Sequence, residues 1–251
     1  MKKNLKFEAP HVEREEYRRH KPSQEFLDAE TLFEYNFVLP GGEKLEAFQS
    51  KRGGGSIVIK RGNEVVLDFS ELLPEGFKFV TPTYFKKHPK DSSLFDYFDN
   101  SWGASMTRKM ILLGELKKPQ DLLTLFHEIG HSHDDSSEDV EELERIGSIE
   151  EELATTKDLE YKVLLSEDLA KLKSKKERKA WAGALRILRK IQRESGVDLR
   201  SLFPTFDDLK KYMNEALATY RRSHEWIIKQ GYDEGFYKEL QRLFDRWQYE
   251  E

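Results

Sequence analysis

One five-residue run constrains the fold of this chain more than any other feature: His127-Glu128-Ile129-Gly130-His131. Residues four apart on an α-helix lie one above the other, so His127 and His131 can share one metal ion if this segment is helical. Glu128 lies about 100° further round such a helix, where it can act on a water molecule without becoming a ligand. The run therefore predicts a helix that carries two metal ligands and one acid–base group.

The flanking residues favour the same helix. Apolar side chains recur on one side of the segment, at Leu122, Leu123, Leu125, Phe126 and Ile129. Pro119 or Asp121 suits its first turn, so the predicted helix covers about 120–133. The alternative is a pair of ordinary surface histidines, because such a run arises by chance in roughly one chain per hundred or two. The apolar context favours a catalytic zinc site.

Composition limits the classes of function. The 42 basic and 47 acidic residues nearly balance, and no basic stripe indicates a nucleic-acid partner. The absence of cysteine excludes disulfides and thiolate zinc sites. The first residues, Met1 to Lys6, are basic without a following apolar run, and no segment approaches the roughly 20 apolar residues that cross a bilayer. We expect a cytoplasmic protein with no membrane contact, and the oligomeric state stays open.

The first half of the chain reads as an arm followed by strands. Residues 1–36 form a densely charged N-terminal arm or helix. Strands are predicted between about 44 and 113, at 44–49, 56–60, 64–69 and 106–113, with a hairpin turn at 61–63. The last of these strands immediately precedes the helix of His127.

The second half reads as helical. A charged helical segment at about 134–165 is followed by a helix at about 167–195, with Ser166 as N-cap and Gly196 as the stop. Two C-terminal helices lie between about 207 and 248. We predict an α+β fold, in which a small, mainly antiparallel sheet packs on a helical second half that carries the metal.

A catalytic zinc site needs a third protein ligand and an open position. His133 is too close to His131 and points to another side of the helix, and the position six residues after His131 is Ser137. Glu177 is the best candidate, because small residues on the following face, Ala180 and Ala184, would let its helix approach closely. The alternatives are a solvated Glu177 or one of three other glutamates: Glu138, Glu151 and Glu152.

These two motifs resemble those of the gluzincin clan of zinc metallopeptidases, which pairs a His-Glu-x-x-His helix with a downstream Glu-x-x-Ala helix. The local sequence is similar to the ImmA/IrrE-type and minimal cytosolic branches over about residues 105–190. The segment between His131 and Glu177 is longer than in those compact branches. The resemblance therefore implies a zincin-like domain at 37–251 with an insertion at about 134–165 that could cover the site.

The resemblance also implies roles. His127, His131 and Glu177 would bind Zn²⁺, and Glu128 would be the general base that hydrolyses a peptide bond through zinc-activated water. The substrate would be a peptide or a protein. Two alternatives remain: a regulatory or scaffolding protein with a vestigial site, and a zinc hydrolase of a non-peptide amide.

A peptidase also needs residues that stabilise the oxyanion and residues that bind the substrate. Tyr220 and His224, four apart on a predicted helix, are the candidates for stabilising an oxyanion, although either could simply be packed. The segment at 101–106, with Trp102 and Gly103, could form the edge that binds an extended substrate by backbone pairing. An ordinary loop is the alternative.

Overall fold

The computed structural model describes residues 37–39, 41–49, 55–80, 102–106, 108–114, 118–133, 137–219 and 234–249. The predicted arm at 1–36 lies outside the described residues. The strands within these residues are β1 (Phe37–Val38), β2 (Lys44–Gln49), β3 (Gly55–Arg61), β4 (Glu64–Asp68), β5 (Lys78–Val80), β6 (Gly103–Ser105) and β7 (Met110–Leu112). The α-helices within the same residues are α1 (Asp121–Ser132), α2 (Ser137–Thr155), α3 (Leu159–Ser195), α4 (Phe206–Thr219) and α5 (Glu234–Tyr249).

The first sheet is an antiparallel meander with its strands in the order β1-β2-β3-β4. The turn between β3 and β4 contains Gly62 at φ +64°, a left-handed conformation that glycine adopts without strain. Leu45, Ile57 and Ile59 are fully buried, and Ile57 and Ile59, two residues apart, lie on the same face of β3. The three strands and the hairpin turn predicted between 44 and 69 are confirmed.

The second sheet has three strands in the order β5-β7-β6, with β7 parallel to β5 and antiparallel to β6. The predicted strand at 106–113 is wrong in its first part, since only Met110–Leu112 is extended. The reason is a turn, in which the Lys109 amide donates to the Met106 carbonyl and Lys109 has φ +51°. Within the described residues, β6 is therefore an edge strand.

The helical half differs from the prediction at one boundary. Helix α3 begins at Leu159, and its N-cap is Asp158, whose carboxylate accepts from the amides of Glu160 and Tyr161. Ser166 is not the N-cap; it lies inside the helix and donates its hydroxyl to the Lys162 carbonyl. The segments predicted at 134–165 and 167–195 are thus divided at 156–158 instead.

Helix α3 organises the core. With 37 residues it is about 55 Å long, and it packs against α1, α2 and α5. It ends at Gly196, as predicted, in a left-handed cap with φ +68°. The mainly antiparallel strands and the helical second half confirm the α+β class. None of the described helices combines the length and the apolar character needed to cross a membrane.

Candidate metal centre

The two histidines lie on the buried side of α1. The helix covers Asp121–Ser132, close to its predicted bounds, and its apolar residues Leu122, Leu125, Phe126 and Ile129 are fully buried. His127 is 1% exposed, and Glu128 is 2% exposed. The His131 side chain is 15% exposed, so the motif reaches from the interior towards the surface, and the alternative of two ordinary surface histidines is rejected.

Helix α3 crosses α1 at backbone contact distance. A Cβ atom added at Gly130 would lie 2.3 Å from the Ala180 carbonyl oxygen, and one added at Gly183 would lie 2.9 Å from the Gly130 Cα. Side chains cannot fit at either position without moving a helix. The small residues predicted to permit this approach were Ala180 and Ala184, and both are fully buried. The closest contacts, however, involve the two glycines.

This crossing brings three ligand-type side chains together. His127 Nε2 lies 3.1 Å from His131 Nε2 and 3.1 Å from Glu177 Oε2. His131 Nε2 lies 3.5 Å from Glu177 Oε1. Ligand atoms of the three residues all lie within 4.8 Å of one another, so the group could hold a metal ion.

Within this group, His131 and Glu177 shift each other's pKa values. Burial alone lowers the pKa of His131, but the Glu177 carboxylate outweighs this effect and raises that pKa above its ordinary value. Burial alone raises the pKa of Glu177, but the imidazoles of His131 and His127 outweigh it and hold that pKa well below its usual range. Glu177 is therefore an ionised carboxylate, the form that binds a cation.

The donor set fits zinc. Atoms at two corners of a tetrahedron with bonds of about 2.05 Å are about 3.3 Å apart. The two histidine Nε2 atoms are 3.1 Å apart, and they lie 3.1 and 3.5 Å from different oxygens of Glu177, so the separations are of the size that a shared ion requires. Glu177 Oε2 is buried, and it faces His127 Nε2 at 3.1 Å. An ionised, buried oxygen of this kind needs a positive partner.

Glu128 belongs to the same neighbourhood. Its carboxylate is close enough to His131 to contribute to the raised pKa of that imidazole. It follows His127 directly on α1 and is not among the three residues that could hold an ion. This placement suits a group that handles protons beside the site.

The other candidate ligands are elsewhere. His133 points away from the group and contacts the Leu72 carbonyl oxygen through Nε2 at 2.9 Å. Glu151 and Glu152 are exposed on α2, and Glu152 accepts a hydrogen bond from the Tyr161 hydroxyl. The side chain of Glu138 is outside the described residues.

The structure describes the residues predicted to bind the substrate, but not those predicted to stabilise the oxyanion. Gly103 begins the edge strand β6, which packs beside α1. Trp102 is 7% exposed and its side chain is part of the hydrophobic core, so it is not a surface for substrate. Tyr220 and His224 lie outside the described residues.

A hydrogen-bonded brace at the start of α1 was not predicted. The buried Tyr212 of α4 shares a 2.7 Å hydrogen bond with the Thr124 hydroxyl and approaches Asp121 at 3.5 Å. Burial, reinforced by the charge of Asp121, raises the pKa of Tyr212 far above its usual range, so the phenol stays neutral. The sequence signal was slight: a tyrosine on the apolar face of a predicted helix.

Comparison with known proteins gives no match to a family model, to a curated protein or to a solved structure. The resemblance to gluzincins therefore stays a prediction from the two sequence motifs.

Proposed function

We propose that this protein is a zinc-dependent peptidase that acts in the cytoplasm on peptide or protein substrates. The observation that carries the proposal is the group of His127, His131 and Glu177, whose ligand atoms all lie within 4.8 Å of one another and could hold one metal ion. Three protein ligands leave a fourth position open, as in catalytic rather than structural zinc sites. Bound zinc would supply a Lewis acid that polarises a carbonyl and lowers the pKa of water.

The protein would supply the proton transfers. Glu128 takes a proton from the attacking water as the new carbon–oxygen bond forms at the scissile carbonyl. It then gives this proton to the leaving amine as the carbon–nitrogen bond breaks. The burial of Glu128 supports this role, since a carboxylate beside the metal but shielded from bulk solvent can hold the proton between the two steps.

The edge strand β6 is the proposed docking line for the substrate. It pairs with β7 on one side, packs beside α1, and begins at Gly103. An extended peptide that added to its other side by backbone hydrogen bonds would run close to the helix that carries His127. Tyr220 and His224 remain the proposed oxyanion donors.

The decisive experiment separates metal binding from catalysis. Protein purified without chelator should carry about one zinc per chain by elemental analysis, and His127→Ala and His131→Ala should each lose most of it. Glu128→Gln should retain zinc while its turnover of a broad peptide library falls by about 10²- to 10⁴-fold. Glu151→Gln, which changes an exposed carboxylate on α2, is the matched control and should cleave normally.

The same variants test the alternatives. Full zinc occupancy in both histidine variants would remove the metal site. Cleavage by Glu128→Gln at the wild-type rate would remove Glu128 as the base. A wild-type protein that binds zinc and cleaves no peptide would point to the scaffolding role or to a non-peptide amide substrate.

A further inference from the structure

The His127 ring has an aromatic neighbour that the proposed chemistry does not use. Trp181 follows Glu177 by four residues on α3, so both side chains lie on the face that meets α1. The Trp181 and His127 ring centroids are 4.0 Å apart, and the ring planes differ by 33°. The His131 and His127 ring centroids are 4.5 Å apart, with the ring planes at 78°. His127 thus packs against two rings.

In the part of the chain that the structure describes, no hydrogen bond at Nδ1 orients the His127 ring. Metal-binding histidines almost always donate their second ring N–H to a carboxylate or a carbonyl, which fixes the plane of the ring. His127 Nδ1 is buried and has no hydrogen-bond partner within the residues that the structure describes. Among the described residues, a contact other than a hydrogen bond at Nδ1 must therefore hold this ring in the orientation that directs Nε2 at Glu177.

The contact with Trp181 can do so by packing alone. Trp181 is 2% exposed, and its own Nε1 also lacks a hydrogen-bond partner in the described part of the chain. The two side chains therefore interact through their ring faces and not through a polar bond. Two rings 4.0 Å apart at a shallow angle leave little room for the imidazole to rotate.

We propose that Trp181 is the positioning residue for His127 and holds the imidazole by ring packing in place of a hydrogen-bond acceptor at Nδ1. This inference rests on the proposed zinc site. It implies that Trp181 influences the zinc affinity although it is not itself a ligand. Loss of a ligand-orienting partner typically weakens metal binding by about 10- to 100-fold.

The test compares variants with and without a ring at position 181. Zinc affinity is measured by competition with a chelator, and the stability of the metal-free protein is measured separately in excess EDTA. Trp181→Leu should bind zinc about 10- to 100-fold more weakly, whereas Trp181→Phe, which keeps an aromatic face, should recover most of the affinity. Trp181→Met is a second ring-free variant should the leucine variant not fold.

Trp247 provides a matched control. It is also fully buried with an unpartnered Nε1, but it lies on α5 and packs against Phe244, not against a ligand histidine. Trp247→Leu should therefore destabilise the metal-free protein as Trp181→Leu does, without changing the zinc affinity of the folded protein. The absorption spectrum of the Co²⁺-substituted protein should change for Trp181→Leu alone, because only that variant frees a ligand ring.

The outcomes separate the two proposals. Wild-type protein that binds no zinc would overturn both the metal site and the role of Trp181. Tight zinc binding by the wild type and by its ring-free variants alike would overturn the role of Trp181 and leave the metal site intact. Equal losses of zinc affinity in Trp247→Leu and Trp181→Leu would reduce Trp181 to an ordinary core residue.

Discussion

The two halves of α3 are held against their neighbours by different forces. At Ala180 and Gly183, α3 meets Gly130 of α1 with no side chain between the backbones, and the residues that follow on α3 belong to the hydrophobic core. Before that point, α3 pairs with α2 largely through charge. The ion pairs between these two helices are Lys173–Glu150, Lys175–Glu142, Lys179–Glu142 and Arg145–Asp168.

The apolar seam between α2 and α3 is thin. Ile146 and Ile149 of α2 are buried, as are Leu165 and Ala170 of α3, whereas Leu159 and Leu164 are 76% and 61% exposed. Partly exposed ion pairs each contribute little, about 0–1 kcal/mol, and salt screens them. The comparison shows that the same stretch of α3 presents Glu177 to α1 and pairs Lys175 and Lys179, two residues to either side, with Glu142 of α2.

The largest effect is expected where the backbones touch. Gly130→Ala inserts a methyl group into a gap that the Ala180 carbonyl already occupies, so the helices must separate. Overpacking of this kind costs about 1–3 kcal/mol, and the separation should also draw Glu177 away from the histidines. We expect lower stability in urea and loss of bound zinc. Zinc binding with unchanged affinity would show that the crossing tolerates a side chain.

The next effect concerns the third ligand alone. Glu177→Ala leaves the crossing intact but removes one corner of the triangle, so zinc should be lost under mild chelation. Glu151→Ala and Glu152→Ala change exposed carboxylates of α2 and should retain zinc under the same conditions. If Glu177→Ala binds zinc as tightly as the wild type, Glu177 is not the third ligand and the interpretation as a gluzincin site is wrong.

Ionic strength should distinguish the two halves of α3 without any mutation. Salt weakens exposed ion pairs and leaves a dry backbone contact unchanged, so amide hydrogen exchange in α2 should accelerate at about 1 M salt while α1 keeps its protection. Glu142→Gln removes the carboxylate shared by Lys175 and Lys179, and it should reduce this salt dependence. Equal acceleration in both helices would contradict the comparison.

The smallest expected effect is a gain in stability and not a loss. Gly147 lies exposed within α2, and a Cβ atom added there meets nothing within 4 Å. Gly147→Ala should therefore stabilise the protein by about 0.5–1 kcal/mol without altering zinc affinity. Thermal unfolding measures the first quantity and chelator competition the second. The pair Gly130→Ala and Gly147→Ala thus applies the same chemical change to both helix pairs.

Local periodicity made α1 predictable, because the histidine spacing and the apolar residues both require the same helix. The start of α3 was not predictable in this way. Asp158 and Ser166 are equally good capping residues, and only the packing of α2 against α3 decides between them. The glycine contact at Gly130 and the stacking of Trp181 on His127 also escaped prediction. Both depend on how two helices cross, which no single segment encodes.

Helices α2 and α3 also explain how ligands far apart in sequence meet in space. The chain leaves the metal centre after α1, runs out along α2 and returns along the first part of α3 to Glu177. If α2 and the first part of α3 were lengthened or shortened by the same number of turns, His131 and Glu177 would stay where they are. The length of the gap between the motifs can therefore drift between related proteins while the centre stays unchanged. A search for such centres should score the two motifs and their small residues and ignore the distance between them.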